Sequence, residues 1–518
     1  VSADSAIVAP APALAGSTKA LTAVALALGT FMQVLDTSIA NVSIPTISGD
    51  LGVSSDQGTW VITSFAVANG VSVPLTGWLM QRFGVVRTFV ASVALFTVAS
   101  LLCGLAWSLP SLIVFRVLQG AVSGPMIPGS QALLINVFGP LKRHTALMIW
   151  SLTTLMAPIA GPLLGGYISD NYVWPWIFLI NVPVGIFCGF ICWKNLKSQE
   201  TPTHKLPIDR VGLFLLFVWV GALQVMLDKG KDLDWFNSSL IVVLTIVTAI
   251  AFAAWLIWEL TEEHPIVDLS LFKSRSFALG TLALCLVYAV FFGNIVLMPL
   301  WLQSYLGYTA TWAGLVSAPS GVTAVLTSLM MGRLMRRYDP RVLAAVSFAL
   351  YAGSYFMRAQ LTADASFVAF MAPQLVQGFG MGLFFVSMLA VIFDGLPPQK
   401  IPAASGLSNF LRITASSFAT SLTTTFWDRR EALHQTRLSD AVSVYAPAYQ
   451  QSLGQMHQFG MTDQAAAGAM TQGLIAQSYL MSSLDLFYIS AWLCLAVLPL
   501  CFLVRRPAAT GAAPVAAD

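Results

Sequence analysis

About fourteen apolar stretches long enough to cross a bilayer run through this chain, and they restrict its fold before any motif is read. They lie near 20–44, 59–80, 88–107, 111–135, 145–168, 175–193, 211–227, 238–258, 277–303, 311–332, 341–359, 366–393, 403–426 and 485–504. Crossing a hydrocarbon core takes roughly 20 helical residues. Within it, every backbone N–H and C=O must find a partner inside the segment, which a helix provides. The sequence therefore predicts an all-α membrane protein. Only 9% of its 518 residues are charged, where soluble domains carry about 25%. A net charge of +3 gives no reason to expect a nucleic-acid partner.

Basic residues set the expected orientation. With a cytoplasmic N-terminus, 18 of the 26 Lys and Arg residues fall in cytoplasmic loops or tails, among them Arg82, Lys142, Lys194 and Arg341. Six fall outside, including Arg358, and Arg116 and Arg412 fall within spans. The bias places both termini in the cytoplasm. The chain also repeats itself. GWLMQRFG at 77–84 returns as GRLMRRYD at 332–339, and VLQGAVSG at 117–124 returns as LVQGFGMG at 375–382. Offsets of 255 and 258 residues imply two six-helix halves related as parallel repeats. The expected organisation is a disordered cytoplasmic tail (1–19), a first half (20–194), and a linker with two inserted helices (195–275). A second half (276–505) with a long external segment (427–484) and a short cytoplasmic tail (506–518) follow.

Asp36 is the residue that most needs a function. It lies in LDTSIANVSIP at 35–45, inside a stretch otherwise built for lipid. A carboxylate there costs on the order of 2.5–3.5 kcal/mol on insertion scales, so it marks a functional site by default. If it takes up and releases a proton, it can couple proton flow to the movement of a solute. Arg116, in LIVFRVLQG, is an available partner, and its counterpart in the repeat is the uncharged Gln374. The pair is either a coupling device or a structural ion pair. Arg412, in LSNFLRITASS, either lines a substrate cavity or snorkels to the cytoplasmic face. Gln33, Asn69, Asn294 and Asn409 either orient a ligand or bond neighbouring helices. The six cysteines are expected to be buried, unpaired thiols. No nucleophile–base arrangement, metal cluster or phosphate-binding G-x-x-x-x-G-K-[ST] loop occurs. The chain is expected to be no enzyme, to hold no metal or cofactor, and to draw its energy from an ion gradient.

Taken together, LDTSIANVSIP, LIVFRVLQG, APIAGPLLGG at 157–166 and GWLMQRFGVVR at 77–87 resemble the major facilitator superfamily in its fourteen-span drug:proton antiporter branch. Phrases such as QGTWVITSFAVANG and WELTEEHPIVDLSLFKSR are similar to those of the inner-membrane pumps of tripartite multidrug efflux systems. The resemblance covers about residues 20–505 and implies a major facilitator fold with about 14 transmembrane helices. It implies that Asp36 is the protonation site with Arg116 beside it. It implies that Pro158, Gly161, Pro162, Gly165 and Gly166 form an antiporter motif that seals against leak, and that Gly77, Arg82 and Gly84 belong to a cytoplasmic gate. Gln81 stands where the superfamily usually carries Asp, which puts that gate's charge relay in doubt. The implied function is proton-coupled efflux of amphipathic toxic compounds from the bacterial inner membrane. The implied partners are a periplasmic membrane-fusion adaptor, docked at 427–484, and an outer-membrane channel. The alternative is a dedicated carrier for a single metabolite or lipid-like compound.

Overall fold

The computed structural model describes residues 16–139, 142–203, 207–397, 400–441 and 447–504. Most of both expected tails lies outside the described residues. The first helix already begins at Gly16, inside the expected N-terminal tail.

Short helical turns aside, the helices of the first part are α1 (Gly16–Asp50), α2 (Trp60–Ser72), α3 (Thr76–Phe83), α4 (Val85–Gly104) and α5 (Leu109–Ser123). They continue as α6 (Met126–Phe138), α7 (Arg143–Asn171) and α8 (Asn181–Leu196), then the inserted α9 (Arg210–Lys229) and α10 (Ser239–Thr261). The remainder are α11 (Arg275–Tyr305), α12 (Ala310–Arg337), α13 (Pro340–Arg358), α14 (Phe367–Ile392), α15 (Ile401–Ala441), α16 (Pro447–Gln458) and α17 (Asp463–Val497). No strand occurs among the described residues.

Local chemistry sets the helix starts. The side chains of Ser274, Thr309, Ser366 and Thr462 accept from backbone N–H groups three residues on, at 3.3–3.4 Å. Asp339 does the same for Arg341 at 2.9 Å, just ahead of Pro340 at the first helical position. Pro74 falls between α2 and α3, which bend by 56° at the break. A proline there removes a donor and crowds the preceding turn.

Ten helical stretches are apolar and long enough to span a membrane, or 11 if α2 and α3 form one bent span. The expected stretches near 145–168, 341–359 and 403–426 lie in α7, α13 and α15, of 29, 19 and 41 residues. All three are long enough to span, and α7 contributes a shorter apolar stretch, Thr145–Pro158.

The chain divides into two compact units. The first comprises Val1–Ala222, Val247–Leu271 and Leu396–Phe410; the second comprises Leu223–Ile246, Phe272–Gly395 and Leu411–Asp518. The linker and inserted helices make no third unit, since 195–275 is divided between these two. The long external segment is largely helical among its described residues. α15 runs on to Ala441, α16 follows, and α17, capped by Thr462, continues unbroken into the last apolar stretch.

Candidate functional site

The site in the first unit is built from α1, α4, α5 and α8. Leu35, Ile39, Val61, Cys103, Leu112 and Phe178 form an apolar cluster around it, which forces polar groups inside it to pair with one another. Asp36 is 2% exposed and Arg116 0%. Arg116 Nη1 donates to Asp36 Oδ2 at 2.5 Å. Asp36 Oδ1 accepts from Gln119 Nε2 at 3.1 Å and from Asn181 Nδ2 at 2.8 Å. Three donors on two oxygens are what an ionised carboxylate in an apolar setting requires.

A second layer holds those donors. Arg116 Nη1 also reaches Gln119 Oε1 at 2.7 Å, and Nε donates to the Val61 carbonyl at 2.9 Å. The guanidinium lies 4.2 Å from the ring centre of Phe65. Asn181 Nδ2 donates to Ser100 Oγ at 3.0 Å, and Ser100 in turn donates to the Phe178 carbonyl at 2.9 Å. Arg116 Nη2 is buried without a hydrogen-bond partner. The sequence reading brought Asp36 and Arg116 together and missed Gln119, Asn181 and Ser100. Their signal was faint: an uncharged polar residue in an apolar helix is common.

The antiporter motif lies on α7, against α1. Ser38 Oγ donates to the Pro158 carbonyl at 3.3 Å. A Cβ on Gly161 would fall 2.3 Å from Ser38 Cβ, so only glycine allows this approach. A Cβ on Gly165 would meet the Ile39 carbonyl at 3.3 Å, whereas one on Gly166 would meet nothing within 4 Å. Gly166 is therefore no part of the close approach expected of the three glycines. The Pro162 side chain lies outside the described residues.

At the expected gate, a Cβ on Gly77 would approach Ala403 Cβ to 3.1 Å. Gly84 ends α3 at φ +93°, a conformation that favours glycine. The acid here is Glu200. Its carboxylate accepts from the backbone N–H groups of Val86 at 3.0 Å and Arg87 at 2.8 Å, at the N-terminus of α4. Arg82 lies 5.8 Å from the Trp78 ring.

Of the expected cavity residues, Asn69 donates to Ser123 Oγ at 2.7 Å, and Asn409 donates to the Ser405 carbonyl at 2.8 Å. Gln33 Oε1 is buried without a hydrogen-bond partner. In the second unit, Asn294 donates to Ser490 Oγ at 3.0 Å while its Oδ1 has no partner. Arg412 is 3% exposed, with Tyr288 at 4.4 Å, so its guanidinium is packed on an aromatic ring and does not snorkel. Arg358 was expected in an external loop. It ends α13 and is 1% exposed. Loop and helix end look alike in sequence when the basic residue closes an apolar stretch.

The 258-residue offset that relates Arg116 to Gln374 also relates Asp36 to Asn294, Ser100 to Arg358 and Gln119 to Gln377. The second unit thus repeats the polar positions of the first without its carboxylate.

Comparison with known proteins follows this geometry. The sequence pattern of the Major Facilitator Superfamily matches residues 26–420. The multidrug export protein EmrB of Escherichia coli (strain K12) is 48% identical over 499 residues, covering 96% of this chain and 98% of that protein. The fatty acid resistance protein FarB of Neisseria gonorrhoeae is 44% identical over 500 residues, covering 96% and 99%. Among solved structures, a bacterial homologue of the human lysosomal transporter Spinster, inward-facing and unoccupied, aligns with a TM-score of 0.52 at 16% identity. It covers 96% of this chain and 100% of that one, a likeness of fold.

Proposed function

The chain belongs to the major facilitator superfamily, and from that premise we propose that it is a multidrug exporter driven by the proton gradient. Export of chemically varied compounds rests on the 48% identity, over nearly the full length of both chains, to a multidrug export protein. Proton coupling rests on one observation: a carboxylate, Asp36, sealed in an apolar cluster with Arg116, its only cationic partner among the described residues, at 2.5 Å. Protonation of Asp36 removes the charge that holds Arg116. The guanidinium is then buried without a counter-ion, which favours a rearrangement of α1 against α5. Deprotonation restores the pair. Substrate and proton would thus favour opposite states of one alternating-access cycle. Close packing of α7 on α1 at Gly161 and Gly165 supports a role for that contact in keeping the cycle free of leak.

Fourteen spans follow if α7, α13 and α15 cross the membrane beside the 11 apolar candidates. The even number and the basic loops support cytoplasmic termini, in a bacterial inner membrane. The helical extensions around 427–484 would offer a periplasmic adaptor a surface, with an outer-membrane channel beyond it. Protons and amphipathic compounds are the expected ligands, with no resident cofactor. The likeness to FarB, a fatty acid resistance protein, favours as a second reading a carrier for one lipid-like class.

Drug-dependent proton flux in proteoliposomes, wild type beside Asp36→Asn, tests the proposal. Flux with several unrelated compounds, lost in Asp36→Asn while the compounds still bind, is the expected result. Undiminished flux in that variant would remove Asp36 from coupling, and flux with fatty acids alone would favour the narrower carrier.

A further inference from the structure

The second unit buries a guanidinium that no carboxylate balances. Arg358 is 1% exposed. Its Nη2 donates to Gln374 Oε1 at 2.9 Å and to Gln377 Oε1. Tyr355 lies 5.3 Å from the guanidinium and Phe487 5.8 Å. Among the described residues no Asp or Glu forms an ion pair with it. Its Nε is buried without a hydrogen-bond partner, and so is the hydroxyl of Tyr351, whose ring stacks on Tyr355. Amide oxygens and ring faces attract a cation far more weakly than a carboxylate does, so this group remains the least compensated charge of its neighbourhood.

Comparison with the first unit shows what is missing. There the guanidinium of Arg116 meets Asp36 and Gln119. Here a guanidinium meets Gln377, the repeat of Gln119, but the position equivalent to Asp36 is Asn294, which is neutral. The positions equivalent to Asp36 and Arg116 are both neutral, Asn294 and Gln374, and the cation stands instead at Arg358, equivalent to Ser100. Metal ions and protonated amines would be repelled by such a site. A carboxylate fits it: the guanidinium offers a planar fork of N–H donors, and Tyr351 offers a further hydroxyl. Gln374 and Gln377 present their oxygens to Arg358, and Gln377 also reaches Tyr355 Oη at 3.5 Å.

We propose that Arg358, held in place by Gln374 and Gln377, recognises together with the Tyr351 hydroxyl the carboxylate of an amphipathic organic acid, with Tyr355 and Phe487 against its apolar part. Arg358 is 1% exposed, so binding there requires the helices around it to part. The inference rests on the export reading for its ligand but is tested by binding, without transport.

The full-length purified protein is titrated with sodium decanoate, with decanol as the uncharged control and sodium chloride at constant ionic strength, and its thermal unfolding midpoint is followed. Decanoate raises the wild-type midpoint by more than decanol does. Arg358→Gln loses that excess, with apparent affinity falling about tenfold or more, and Arg358→Lys retains part of it. Should Arg358→Gln fail to fold, Tyr351→Phe carries the test through a smaller loss of the same excess. Equal shifts from decanol, an excess that survives in Arg358→Gln, or stabilisation by chloride in place of decanoate would each overturn the proposal. Loss of proton flux with the decanoate excess intact would instead overturn the export reading alone.

Discussion

Inside its apolar cluster the oxygens of Asp36 meet three donors, from Arg116, Gln119 and Asn181. In the proposed cycle a proton on Asp36 would weaken all three contacts. Asn181 is the member that sequence reasoning passed over, and its effect is separable because it carries no charge. Asn181→Leu removes one donor from Asp36 Oδ1 and one from Ser100 Oγ, which keeps its own bond to the Phe178 carbonyl. A hydrogen bond to a charged group contributes about 1.5–3 kcal/mol, so drug-dependent proton flux in proteoliposomes should fall at least tenfold, with ligand binding retained. Unchanged flux would mean that Asn181 merely fills space. Asp36 and Arg116 were legible because ionised residues are rare in apolar helices. Gln119, Asn181 and Ser100 were not, because such helices hold many uncharged polar groups and only packing reveals which of them meet.

At the scale of helices, small residues decide how closely α1 and α7 pack. Gly161 stands where any Cβ would overlap Ser38, two residues beyond Asp36. Gly161→Val would drive the two helices apart or force a strained rotamer, with overpacking costing about 1–3 kcal/mol. The expected outcome is a lower unfolding midpoint together with loss of coupled flux; Gly166→Ala should do neither, since nothing lies within 4 Å of its added carbon. A motif of glycines and prolines could be recognised in the sequence, but which glycine faces a neighbour depends on the rotation of the helix. The gate shows the same limit. Gln81 breaks the expected pattern of acids, and the carboxylate at the N-terminus of α4 comes instead from Glu200, more than a hundred residues later.

For the molecule as a whole, pH acts on stability through acids outside the apolar helices. Asp268 lies in the stretch after α10, where Lys400 Nζ approaches it at 3.1 Å. Burial pushes its carboxyl up, but the hydroxyl and N–H of Ser270 and the charge of Lys400 outweigh that and hold it below its ordinary value. A depressed carboxyl contributes stability above its unfolded pKa and loses it as pH falls through the folded value. Lys400→Met should therefore lower the unfolding midpoint near neutral pH, and the difference from wild type should shrink on acidification. A difference that stays constant down to pH 3 would show that Asp268 does not carry it.

Hydropathy alone determined that this chain is a helical membrane protein, because lipid leaves a polypeptide few other ways to bond its backbone. Its repeats and its intramembrane charges located two related halves and singled out Asp36 and Arg116. Tertiary structure alone decided that Asp36 has three donors, that Gly161 and not Gly166 meets α1, and that Arg358 is buried without an anion. Composition registers the cost of placing a group in lipid, whereas the partner that offsets it is chosen by helix rotation and packing, which for Asp36 brings in Asn181 from 145 positions away.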